Sequence, residues 1–157
     1  MAGPTASVIV PQVLDERTVL EIAGIIESTA DRVDGRDFAV SGHPFIWSHG
    51  EEYDGEFSEC DYSTAVGWRP KDQILLIAMC NQPEDHVILA DLCIKISEKI
   101  GGLIDFGGTL QLSGSETSGR LHRIGFDSSH GGTGYCHIGD IEFLKGWISQ
   151  PEFRMVK

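Results

Sequence analysis

Between Gln73 and Gly101 the hydrophobic period of the chain changes once, and that change restricts the possible folds more than any other feature. Gln73 to Cys80 is a continuous apolar run of the kind found in a buried central strand. Pro83 follows, with Glu84 and Asp85 in the first helical turn, where the helix dipole favours negative charge. Leu89, Leu92, Cys93, Ile96 and Ile100 then recur at helical spacing, and Gly101 is placed to end the pattern. The spacing predicts a strand leading into a helix over residues 83–100.

The same order occurs upstream. Ser7 to Val10 is a short β-branched stretch, and Asp15 is a candidate N-cap for a helix over residues 15–31. Val19, Ile22, Ala23, Ile26 and Ala30 form its apolar face, and Leu14 and Val19 have the spacing of a hydrophobic staple. Phe38 to Val40 begins a second strand, whereas Gly42, Pro44 and an acidic run leave residues 41–61 mostly as loop. Tyr62 to Trp68 reads as extended, and Leu103 to Phe106 as a further strand. Strand, helix, strand, twice over, is the split βαβ, ferredoxin-like series. The expected fold is therefore an α+β sandwich with a mainly antiparallel sheet and helices on one face. Additional strands are expected at Thr109 to Leu112, Arg120 to Phe126 and Gly134 to Ile138, and a last helix over residues 140–149, capped by Asp140 and stopped by Pro151. A chain of 157 residues is the usual size for one hydrophobic core, so residues 1–157 are expected to form a single domain.

Charge is unevenly spread. Residues 1–61 carry 13 acids and 3 bases, net −10, whereas residues 62–157 carry 11 acids and 9 bases, net −2. Glu51, Glu52, Asp54, Glu56, Glu59 and Asp61 are interleaved with Tyr53 and Phe57. Such a segment repels phosphate and disfavours nucleic acid as a partner. These eight residues are the candidate surface for a basic protein partner, with a solvated loop as the plainer reading. EF-hand spacing is absent from them.

The apolar runs fall well short of the roughly 20 residues that cross a bilayer, and the first residues do not resemble a secretory signal, so neither membrane insertion nor export is expected. Cys60, Cys80, Cys93 and Cys136 are widely spaced and include no CxxC pair, which fits reduced thiols and a cytoplasmic location.

Searches for chemistry return weak signals. The six histidines show no HxH, HExxH or zinc-type grouping. A loose cluster of His122, Asp127, His130, Cys136 and His137 leaves an enzyme or ligand sensor with a polar C-terminal pocket as the alternative, its acid, base or ligand groups being His122, Asp127, His130 and His137. Cys136 and His137 are adjacent on an expected strand and point to opposite faces, so one cannot easily activate the other. The glycine-rich stretches match neither GxxxxGK[ST] nor GxSxG. No catalytic residue, metal or cofactor is expected.

The opening Met1-Ala2-Gly3-Pro4-Thr5, the centre Gly101-Gly102-Leu103-Ile104-Asp105-Phe106-Gly107-Gly108, and Ile141 to Lys145 through Phe153-Arg154-Met155-Val156-Lys157 resemble an uncharacterised bacterial domain family over nearly the full length. The resemblance implies no activity and no catalytic residues. In style such proteins are similar to the immunity proteins of polymorphic toxin systems, and the implied function is an acidic inhibitor that occludes the active site of a toxin.

Overall fold

The computed structural model describes residues 3–50, 60–112, 114, 117–127 and 131–156. Strand β1 (Thr5–Val10) leads to helix α1 (Glu16–Thr29), whose first turn is closed by Asp15 accepting the Thr18 N–H at 2.8 Å. Then come β2 (Arg32–Asp34), β3 (Asp37–Val40), β4 (His43–His49) and the short α2 (Tyr62–Val66). Next are β5 (Asp72–Ala78), α3 (Pro83–Ile100), β6 (Leu103–Asp105), β7 (Leu121–Asp127), β8 (Thr133–Gly139) and α4 (Ile141–Ile148). The predicted helices at 15–31, 83–100 and 140–149 are α1, α3 and α4, each starting at the polar cap or proline that the sequence marks.

The strands form one sheet in the order β2-β3-β4-β5-β1-β6-β8-β7, with every neighbouring pair antiparallel. Its centre, β4-β5-β1-β6, is the split βαβ arrangement: α1 with the β2–β3 hairpin carries the chain from β1 to β4 across β5, and α3 connects β5 to β6 across β1. This is an α+β fold. One face packs against α1, α3 and α4 through Val8, Ile74, Leu76, Ile104, Leu89, Ile96 and their neighbours, all fully buried. The second face carries a smaller cluster of Ile9, Cys60, Tyr62, Ile124, Cys136 and Ile138.

The structure corrects the expectation that residues 41–61 are mostly loop: His43–His49 form β4, which pairs with β5, while the strand expected at 38–40 is β3, on the other side of β4. Ser41 (φ 52°) and Gly42 (φ 80°) form a two-residue hairpin turn between β3 and β4, so Gly42 reverses the chain without ending the strand. Pro44 donates nothing to the ladder, but its carbonyl still accepts the Met79 N–H at 3.0 Å. A second correction concerns residues 62–68, which are not extended: Asp61 accepts the Thr64 N–H at 3.3 Å and Gly67 ends the helix at φ 81°. Residues 109–112 form no strand either, because Leu110 bonds to a side chain and not to a ladder. Among the described residues no helix is long and apolar enough to cross a membrane.

Candidate functional site

The end of the sheet from which the acidic segment departs is organised by one buried carboxylate. Asp72, the first residue of β5, is 6% exposed. Its Oδ2 accepts the Leu14 N–H at 2.9 Å and bonds His49 Nε2 at 2.8 Å, while its Oδ1 accepts the Gln73 N–H at 2.9 Å. The approach to α1, the last residue of β4 and the start of β5 are thus tied to a single side chain. Such an arrangement is stable when buried because the carboxylate keeps nearly all the hydrogen bonds it would have had in water.

Several acids meet at this end. Asp15 and Glu16 open α1, Asp34 and Asp37 flank the β2–β3 turn, and the Trp47 N–H bonds the Arg36 carbonyl at 3.1 Å, which sets that turn beside the end of β4. Gly50 follows β4 and is held by its N–H on the Gln73 carbonyl at 3.1 Å. Arg36 and Lys71 share the region, and the five carboxylates of residues 51–59, which come next after Gly50 in the sequence, lie outside the described residues. Of the candidate partner-binding residues, Glu51, Glu52, Tyr53, Asp54, Glu56, Phe57 and Glu59 lie outside the described residues. Asp61 is described: it is exposed, and hydrogen bonds from Thr64 hold its carboxyl below the usual range. The chain returns to the sheet at Cys60, which bridges Phe126 on β7.

The C-terminal group is dispersed. Strand pairing sets His122 opposite Ile138 and His137 opposite Arg123, so alternation sends the two imidazoles to opposite faces. Asp127 lies at the far end of β7, and His130 lies outside the described residues. A cleft of about 680 Å³ does exist near the C-terminus, but its walls are residues 109–112, Trp147, Glu152 and residues 154–156. None of the three described members of the group lines it. Among the described residues no three His, Cys, Asp or Glu side chains gather as a metal site.

The second face of the sheet holds a different polar contact. Tyr62, fully buried on α2, donates its hydroxyl to Asp105 Oδ2 at 3.1 Å, and Asp105 Oδ1 accepts the Gly107 N–H at 2.8 Å. Burial raises the Asp105 carboxyl, with the two hydrogen bonds opposing it. Burial also raises the Tyr62 phenol, reinforced by the negative charge of Asp105. The pair fastens α2 to β6, and with it the point at which the acidic segment rejoins the fold.

A family model matches residues 2–157 of the chain. The chain belongs to DUF6368, a family of unknown function. No curated protein and no solved structure matches it.

In this DUF6368 chain, three polar pairs are ones that sequence reasoning passed over: Asp72 with His49, Asp105 with Tyr62, and Asp85 with His43 at 2.8 Å. Each partner lies 23 to 43 residues away in the chain, so no local spacing relates them. The one available signal was the charge of Asp72 and Asp105 within or beside apolar strands, since a carboxylate in such a run needs a partner.

Proposed function

We propose that this chain is a cytoplasmic binding protein that neutralises a basic protein partner, in the manner of an immunity protein occluding a toxin's active site. The observation that carries the reading is the placement of charge. The acidic residues 51–59 follow Gly50 in the chain, Gly50 lies at a sheet end fixed by Asp72, and Asp34 and Asp37 are exposed on the β2–β3 hairpin of the same sheet. A negative surface on a firm scaffold accelerates encounter with a positive one and disfavours nucleic acid. Cys80 and Cys93 are free thiols, as expected of a reducing compartment.

The test is to measure affinity for the purified product of the neighbouring reading frame across a salt series, then to reverse Glu51, Glu52 and Asp54 to lysine. Binding weakened by about tenfold or more, with a shallower salt dependence, is the expected result. Equal affinity and an equal salt slope in the variant exclude this surface. Absence of binding by the wild-type chain excludes that partner.

A further inference from the structure

The two walls of the C-terminal cleft are fastened in the same unusual way. On one side the Leu110 N–H donates to His137 Nδ1 at 2.9 Å. On the other, the Met155 N–H donates to His86 Nδ1, also at 2.9 Å. A ring nitrogen that accepts from an amide presents a lone pair, so each imidazole is neutral and carries its proton on Nε2. For His86 this agrees with the other side of the ring, where Nε2 donates to Asn81 Oδ1 at 3.0 Å. Neither wall belongs to a helix or strand. The C-terminal strap has two further tertiary hydrogen bonds, Thr5 N–H to the Val156 carbonyl at 3.2 Å and Trp147 Nε1–H to the Arg154 carbonyl at 3.1 Å. Neither of these titrates.

We propose that the cleft is proton-gated: each wall is fastened in part by the lone pair of a neutral imidazole, Leu110 on His137 beside the Thr109 hydroxyl on the Tyr135 carbonyl at 3.1 Å, and Met155 on His86, and protonation of a ring loosens its wall. A proton on Nδ1 sets N–H against N–H, which removes the bond and leaves a cation without its acceptor in a partly dry site. The charged groups around the rings mostly favour the neutral form. Arg154 from the strap opposes a positive His86; Asp85, next to it on α3, favours one, but its carboxylate is already shared by His43 from β4 and the Gln82 N–H. Arg123 on β7 faces His137, Asp105 on β6 points to the opposite face, and residues 109–112 bring no charge. Burial is the larger cause in both rings, and both are held below the ordinary 6.5. The unfolded or opened segment therefore takes up protons before the closed one does. The closed cleft is fully favoured above about pH 6.5 and is progressively disfavoured as the pH falls below that, until the folded value is reached. Opening exposes the buried Met155, Leu110 and Trp147.

Amide exchange on the full chain tests this, with protection factors corrected for the intrinsic pH dependence of exchange. Leu110 and Met155 are expected to lose protection progressively as the pH falls below about 6.5, while amides of β1, β5 and α3 keep theirs. His86→Asn and His137→Asn retain an acceptor near the Nδ1 position without titrating, and in the double variant the two amides should respond to pH no more than the core does. Nitrogen chemical shifts of the wild-type rings provide a check that needs no variant: both should show the Nε2–H tautomer at pH 7.5. A proton on Nδ1 of either ring at that pH, or protection at Leu110 and Met155 that holds until the core itself opens, overturns the proposal.

Discussion

The two faces of the sheet are stabilised by different physics. Under α1, α3 and α4, side chains such as Val8, Ile74, Leu92 and Ile96 are completely buried and apolar, so what they contribute is a matter of filled volume and does not itself titrate. The second face has a smaller apolar cluster, and in it Tyr62 and Asp105 meet in a low-dielectric setting. There a hydrogen bond is strong while both partners remain, and the loss of either leaves a stranded polar group. Leu92 and Ile96 are thus sensitive to changes of volume, whereas Tyr62 and Asp105 are sensitive to changes of chemistry.

The largest effect should come from the helix-covered face. Leu92→Ala is expected to cost about 2–5 kcal/mol in denaturant unfolding, with no dependence on pH. A cost below about 1 kcal/mol would mean that this core is loosely packed and that the contrast between faces is overstated. Next, Asp105→Ala, which strands the Tyr62 hydroxyl and the Gly107 N–H, should cost about 2–4 kcal/mol, and Tyr62→Phe about 1–2 kcal/mol. A double-mutant cycle between the two should show clear coupling; additivity would indicate that their contact contributes nothing specific.

The pH dependence sharpens the comparison. Burial raises Asp105 from its ordinary 3.8, so the folded chain holds a proton that the unfolded chain releases. Its contribution to stability is therefore fully present below about pH 4 and declines as the pH rises through the folded value. Asp105→Asn should flatten that part of the stability profile, whereas Leu92→Ala should leave its shape unchanged. Two profiles of equal shape for Asp105→Asn and wild type would refute the assignment.

At the sheet end, Asp72→Asn retains an acceptor but weakens the bonds to Leu14 and His49, and should cost about 1–3 kcal/mol. The smallest change is expected from reversing the exposed Asp34 and Asp37 to lysine, within about 0.5 kcal/mol of wild type by thermal unfolding. A large loss there would show that these acids hold the hairpin and are not simply displayed by it.

Much of the architecture was legible in the residues, for reasons that are local. Asp15, Pro83 and Asp140 mark helix starts because they act on amides within one turn, and the apolar repeat in α3 states which side is buried. Strand β4 was missed because Gly42 and Pro44 look like breakers, although the first only turns the chain and the second sits where its missing N–H costs little. Helix α2 was missed although Asp61 and Gly67 mark its two ends, because five residues are too few to show a helical period. The candidate site divided in the same way. Its acidic composition could be counted along the chain, whereas the anchors that fix its surroundings could not.

By itself the sequence determined where α1, α3 and α4 begin and end, that β5 is a buried strand, and that the negative charge belongs to the first 61 residues, since each of these depends on neighbours a few positions apart. Only the tertiary structure decided that Asp72 would hold both Leu14 and His49, that Asp105 would meet Tyr62, and that His122 and His137 would face away from each other. Those outcomes depend on strand order and register, which join residues tens of positions apart, and a one-residue shift in pairing would have turned every such side chain to the other face.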